Sequence, residues 1–174
     1  MSSLYDKIVS ERGTLESIAS KIPGFRGYME ASGRREADRM IRDHVANLFK
    51  GLIDRVAQAE RDMLMAPDGL MQMEKTKSIK TKLETLRRKI ETDMPGYSGF
   101  FASNKITTED YETIYAFDEA MVRYVDSIGE KIDAVMTSIT SGDGLAASLQ
   151  ALDMMALEAQ QAYDLRDDVL NGID

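Results

Sequence analysis

The chain has 174 residues, of which 43% are hydrophobic and 30% charged, with no cysteine and a net charge of −8. That length fits one domain with a sizeable core, and the apolar content is too high for a disordered chain. The missing cysteines exclude disulfides, thiolate zinc sites, iron–sulfur clusters and a Cys nucleophile. No stretch approaches the ~18 uncharged apolar residues of a membrane span. The opening Met1-Ser2-Ser3-Leu4 lacks the basic and apolar blocks of a signal peptide, so a cytoplasmic location is expected.

The charge is unevenly spread. Residues 1–106 carry 19 Lys/Arg against 15 Asp/Glu, whereas residues 107–174 carry 3 against 15. The two parts should attract, within one molecule or between neighbours. An acidic chain also argues against broad nucleic-acid binding, although a local basic patch survives that argument.

In chain order, apolar residues recur at spacings of three and four in five segments, about 2–21, 34–65, 70–93, 108–139 and 145–170. The first places Leu4, Ile8, Leu15, Ile18 and Ile22 on one face, with Ser2 or Ser3 as cap and Gly13 as a weak point. The second runs Ala37, Ile41, Val45, Leu48, Leu52, Val56, Ala59 and Met63, behind Ser32 as N-cap. The third uses Ile79, Leu83, Leu86, Ile90 and Met94. In the fourth, Thr107 or Thr108 caps a stripe from Tyr111 and Ile114 to Val135 and Ile139, with Asp110 or Glu112 near its positive end. The fifth uses Leu145, Leu149, Leu152, Ala156, Ala159, Ala162, Leu165 and Val169. No stretch alternates with period two, so no strand is expected. The fold class is all-α: a single-domain antiparallel bundle of about five helices, two of them long.

The turns repeat. Ile22-Pro23-Gly24-Phe25-Arg26-Gly27-Tyr28 returns as Met94-Pro95-Gly96-Tyr97-Ser98-Gly99-Phe100, and Pro67-Asp68-Gly69 is echoed by Ser141-Gly142-Asp143-Gly144. A duplicated helical hairpin would produce this. So would Pro-Gly recurring wherever helices end.

Several constellations bear on function. Phe25, Tyr28, Tyr97 and Phe100 on Gly-rich corners either line a ligand pocket, with His44 as a further candidate, or plug the bundle end. His44 is the only histidine, which rules out a di-iron site built on paired Glu-x-x-His motifs. A boundary position beside Asp43 is the plainer expectation for it. Asp164, Asp167 and Asp168 share one helical face and are candidates for a divalent cation, against a solvated surface. Lys75, Lys77, Lys80, Lys82, Arg87, Arg88 and Lys89 form a basic face that would suit nucleic acid or an anionic membrane surface, or would answer the acidic C-terminal helices. Twelve methionines gather near helix ends, where they serve either partner binding or core filling.

Ile22-Pro-Gly-Phe-Arg-Gly-Tyr28, Arg34-Arg35-Glu36-Ala37-Asp38-Arg39, Gly96-Tyr97-Ser98-Gly99-Phe100 and Tyr115-Ala116-Phe117-Asp118 together resemble a family of small, uncharacterised prokaryotic helical proteins. The resemblance spans about 22–128 and implies a shared fold, without an activity. No nucleophile–base pair, phosphate loop or cofactor motif assembles in the sequence, so no cofactor is expected. The expectation is a non-enzymatic helical module that binds a protein partner, itself among them as a homo-oligomer.

Overall fold

A computed structural model describes residues 3–11, 13–93, 99–101 and 106–172. Among them are six α-helices and no strand: α1 (Leu4–Ser10), α2 (Leu15–Lys21), α3 (Arg34–Met63), α4 (Met73–Thr92), α5 (Thr108–Ser141) and α6 (Leu145–Asn171). The long helices α3 and α5 have 30 and 34 residues.

The segment expected as one helix over 2–21 is two, and the count of five becomes six. Ser3 and Asp6 form a reciprocal capping box for α1, and Thr14 caps α2 by accepting from the Ser17 amide. Between them Gly13 lies against the backbone of Tyr115 and Ala116, where a Cβ has no room. That contact folds α1 and α2 separately onto α5.

Other boundaries move less. Residues 70–72 form a 3-10 turn before α4, and 31–33 another before α3, so Ser32 lies inside a turn and α3 starts without a side-chain cap. Thr107 and Asp110 make the expected cap for α5.

Ion pairs and hydrogen bonds give the packing order. Lys80 meets Glu60 at 2.7 Å while Arg42 donates to the Ile90 carbonyl at 3.0 Å, so α3 and α4 run in opposite directions. Tyr124 donates to Glu158 and Arg166 to Asp118, each at 2.7 Å, so α5 and α6 do the same. The seams between these hairpins are parallel: Arg55 pairs with Asp133 across α3 and α5, and Lys82 and Lys89 pair with Asp153 and Asp164 across α4 and α6. The order round the bundle is α3, α4, α6, α5, with α4 and α5 diagonal. The expected antiparallel arrangement therefore describes each hairpin but not the seams. A turn of a few residues forces neighbouring helices antiparallel, whereas the stretch between Thr92 and Thr108 is long enough to cross the diagonal.

One core cluster fills the bundle, from Val45 and Phe49 on α3 to Leu149, Leu152 and Tyr163 on α6. A second closes the corner end with Ile18, Ile22, Phe25, Tyr28, Ile41, Phe100, Phe101, Ile114 and Leu170. No helix among the described residues is long and apolar enough to cross a membrane.

Candidate functional site

Among the described residues, the corner end holds a set of charges sealed inside the core. Asp38 and Arg42 stand one turn apart on α3, Asp118 lies in the buried run of α5, and Arg166 lies on the core side of α6. Arg166 is 1% exposed and donates to Asp118 Oδ1 and Asp38 Oδ1, each at 2.7 Å. Arg42 donates to the other Asp38 oxygen at 2.9 Å. The Tyr28 hydroxyl donates to Asp118 Oδ2. Two arginines against two aspartates leave the cluster neutral, the condition under which buried charges are tolerated.

The corner itself is latched to this cluster. The Tyr28 amide donates to the Tyr115 hydroxyl at 3.1 Å. Buried Arg34 donates to the Tyr28 carbonyl (2.8 Å), the Phe100 carbonyl (3.1 Å) and the Tyr111 hydroxyl (2.8 Å). Gly27 is required here: its φ of 77° is left-handed, and its Cα sits beneath the Tyr115 hydroxyl.

Burial raises the Tyr28 pKa well above its ordinary value, with the Asp118 charge adding to the effect. Burial opposes the Arg166 charge, but Asp118 and Asp38 overcome it and hold that pKa well up. Burial also raises the Asp118 carboxyl, against the pull of Arg166 and Tyr28. Tyr28 and Arg166 thus keep their protons, and the cluster ties α3, α5, α6 and the first corner together. Beside it is a cavity of about 10 Å³ lined by Ile41, Val45, Ile90, Met121, Tyr163 and the two arginines. That is room for one water molecule and too small for a substrate.

The sequence-derived candidates are distributed as follows. Phe25, Tyr28 and Phe100 are at most 5% exposed and pack edge to face, with centroids 5.9 and 5.2 Å apart. Tyr97 lies outside the described residues. A groove of about 530 Å³ beside this corner is lined by Gly24, Arg26, Glu30, Ser32, Glu36 and Met40 rather than by the rings. His44 is half-buried on α3; burial and Lys21 lower its pKa, and Asp43 pairs with Arg39 instead. It does not join the corner cluster.

The basic face is mostly answered from within. Lys75 and Lys82 share Asp153, Lys80 takes Glu60, Lys89 takes Asp164 and Arg87 takes Glu91. Lys77 and Arg88 make no ion pair among the described residues. Of the acidic trio, Asp164 is occupied by Lys89 and Asp168 is exposed. Asp167 meets Asp93, and burial followed by that neighbour pushes its pKa up to about 7. Asp93 Oδ2 is buried without a hydrogen-bond donor. Among the described residues no group of three His, Cys, Asp or Glu side chains is placed to hold a metal ion.

Two features escaped the sequence reading. Arg166 lies within the run of Asp164, Asp167 and Asp168, yet the core side of α6 runs Ala159, Ala162, Tyr163, Arg166, Leu170, and Leu165 and Val169 of the expected stripe are only half-buried. The signal was present: Arg166 continues the Leu152–Ala156–Ala159–Tyr163 spacing. The other is exposed apolar surface. Leu64, Met65, Leu70 and Met71 stand 54–91% exposed at the α3–α4 turn, and Met154 and Leu157 are exposed on α6. No protein-family model, curated protein or solved structure matches the chain.

Proposed function

We propose that the chain is a non-enzymatic, cytoplasmic helical module that works by protein–protein contact and associates with itself. The observation that carries this reading is exposed apolar surface: Leu64, Met65, Leu70 and Met71 stand together at the α3–α4 turn and Met154 and Leu157 on α6, while Tyr5 and Met29 are exposed singly elsewhere. Exposed apolar surface grouped in this way marks contact sites, and methionine adapts well to a partner. The sealed charge cluster fits the same role, since it stiffens the end opposite the α3–α4 turn. In this reading the hairpins α3–α4 and α5–α6 are repeated units, as the echoed turns suggest. The alternative of an anionic lipid or nucleic-acid binder is left with Lys77 and Arg88 as its unanswered cations.

Light scattering over a range of concentrations, at low and high salt, tests the proposal. The expected result is a mass rising above the 19.5 kDa of one chain at both salts. A monomer at every concentration overturns self-association.

A further inference from the structure

The outer face formed by α4 and α6 is patterned against itself. On α6 every exposed residue from Ala146 to Gln161 is uncharged: Ala146, Ala147, Gln150, Met154, Leu157 and Gln161. By contrast, the exposed positions of α3 between Arg35 and Arg61 include four arginines, a lysine, a glutamate and two aspartates. On α4 the seam with α6 is marked by Lys75, Lys82 and Lys89. Turning outward from it at about 100° per residue, the next exposed positions are Ser78 and Thr85, followed by Glu74, Thr81 and Arg88. Neither Glu74 nor Arg88 makes an ion pair among the described residues. Between the seam and Thr81 the α4 surface is thus Ser78, Thr85 and Thr81, with one acid and one base equally spaced about Thr81, and Lys77 and Glu84 follow on the side toward α3.

We propose that this face binds a second copy of the chain, α4 against α4 and α6 against α6, about a two-fold axis through Thr81. The proposal rests on the self-association argued above and assigns it a surface. A two-fold axis across antiparallel helices pairs residues whose numbers have a constant sum. With Thr81 on the axis, Glu74 faces Arg88 of the second copy, and Ser78 comes within one position of Thr85.

The α6 pattern has its own centre. Met154 faces Leu157 of the second copy, and Gln150 faces Gln161, when the axis crosses between Met155 and Ala156. The seam shows that both centres lie at one level. Lys89 pairs with Asp164, 75 residues further on, and Lys75 and Lys82 straddle Asp153, so Thr81 stands beside Ala156. One axis serves both helices to within about one residue rise, ~1.5 Å. A different partner would impose no such symmetry on charge and apolar positions together.

The footprint sets the strength. Fifteen residue rises cover ~22 Å along the helices, and two helices ~9 Å apart present ~20 Å of width. Counting both copies, the buried surface is roughly 900 Å², below the range of stable specific interfaces, so the dimer is weak and concentration-dependent. Glu74 and Arg88 sit at the rim, where they set register more than affinity.

The experiment combines sedimentation equilibrium with cross-linking, each variant first checked for an unchanged helical circular-dichroism spectrum. Leu157→Asp, at an exposed position, is expected to weaken dimerisation about tenfold or more. Glu74→Arg and Arg88→Glu should each weaken it by about fivefold, and the double reversal should restore it. Because the chain has no cysteine, Thr81→Cys provides a single thiol on the axis, and a short bis-maleimide should link two copies there but not through Asp126→Cys on α5. A dimer that survives Leu157→Asp and is not captured at residue 81 overturns this face while leaving self-association intact. A monomer at all concentrations overturns both.

Discussion

Replacing Arg166 by Met tests the sealed charge cluster most directly. The substitution keeps much of the side-chain volume and removes the cation that bonds Asp38 and Asp118 at 2.7 Å. Asp38 retains Arg42 and Asp118 retains the Tyr28 hydroxyl, so each carboxylate keeps one partner. Stranding buried charge in this way costs about 3–5 kcal/mol. For a chain of this size that corresponds to a fall in Tm of about 6–20 °C. Urea denaturation followed by circular dichroism at pH 7 measures it, with little dependence on salt because the cluster is out of solvent. The loss should shrink as the pH falls toward 4. Without Arg166 the Asp118 pKa rises further, and an acid with a raised folded pKa contributes stability that is present at low pH and lost as pH rises through that pKa. Combining the change with Asp118→Asn should recover part of the loss at pH 7. A cost below about 1 kcal/mol, or one unchanged at pH 5, would refute the assignment.

Two further predictions concern protons and backbone. Asp167 should titrate near pH 7 when followed by carboxyl ¹³C chemical shift; Asp93→Asn should lower the midpoint yet leave it above the usual carboxylate range, since burial is the larger cause. Between pH 4 and 7 the wild type should lose stability relative to Asp167→Asn, because the raised pKa favours the folded state only while the proton is held; a wild-type midpoint near 4 sinks this assignment. Gly51→Ala, on the open face of α3 with no atom within 4 Å of the new methyl group, should stabilise by about 0.5–1 kcal/mol. Gly13→Ala places its methyl group inside the Tyr115 carbonyl and 2.7 Å from the Ala116 amide, and should destabilise by about 1–3 kcal/mol in the same melts; equal effects at the two sites would contradict the packing of α1 and α2 on α5.

Helix content was legible in the sequence because helix formation is local. Spacings of three and four, Ser3 and Thr107 as caps and Gly142 at the end of α5 act within one turn of backbone. The break at Gly13 was not legible as a break: its cause is a carbonyl on Tyr115, about a hundred residues away. The basic helix and the acidic C-terminal part were visible as opposites, and the ion pairs along the α4–α6 seam show the attraction acting within one molecule.

The candidate site was harder to read because α6 is ambiguous. Alanines at 156, 159 and 162 suit a core or a surface equally well, so the stripe could be drawn through Leu165 and Val169 or through Tyr163 and Arg166. Only packing against Asp38 and Asp118 chooses between them. By itself the sequence determined which segments are helical, apart from the break at Gly13, and how their charge is divided, since neighbouring residues set those properties through backbone geometry and solvation. The tertiary structure alone decided that the hairpins lie with parallel seams, that Arg166 is buried and that α6 turns a neutral face outward. Those depend on through-space contacts between residues far apart in the chain, for which local periodicity carries no information.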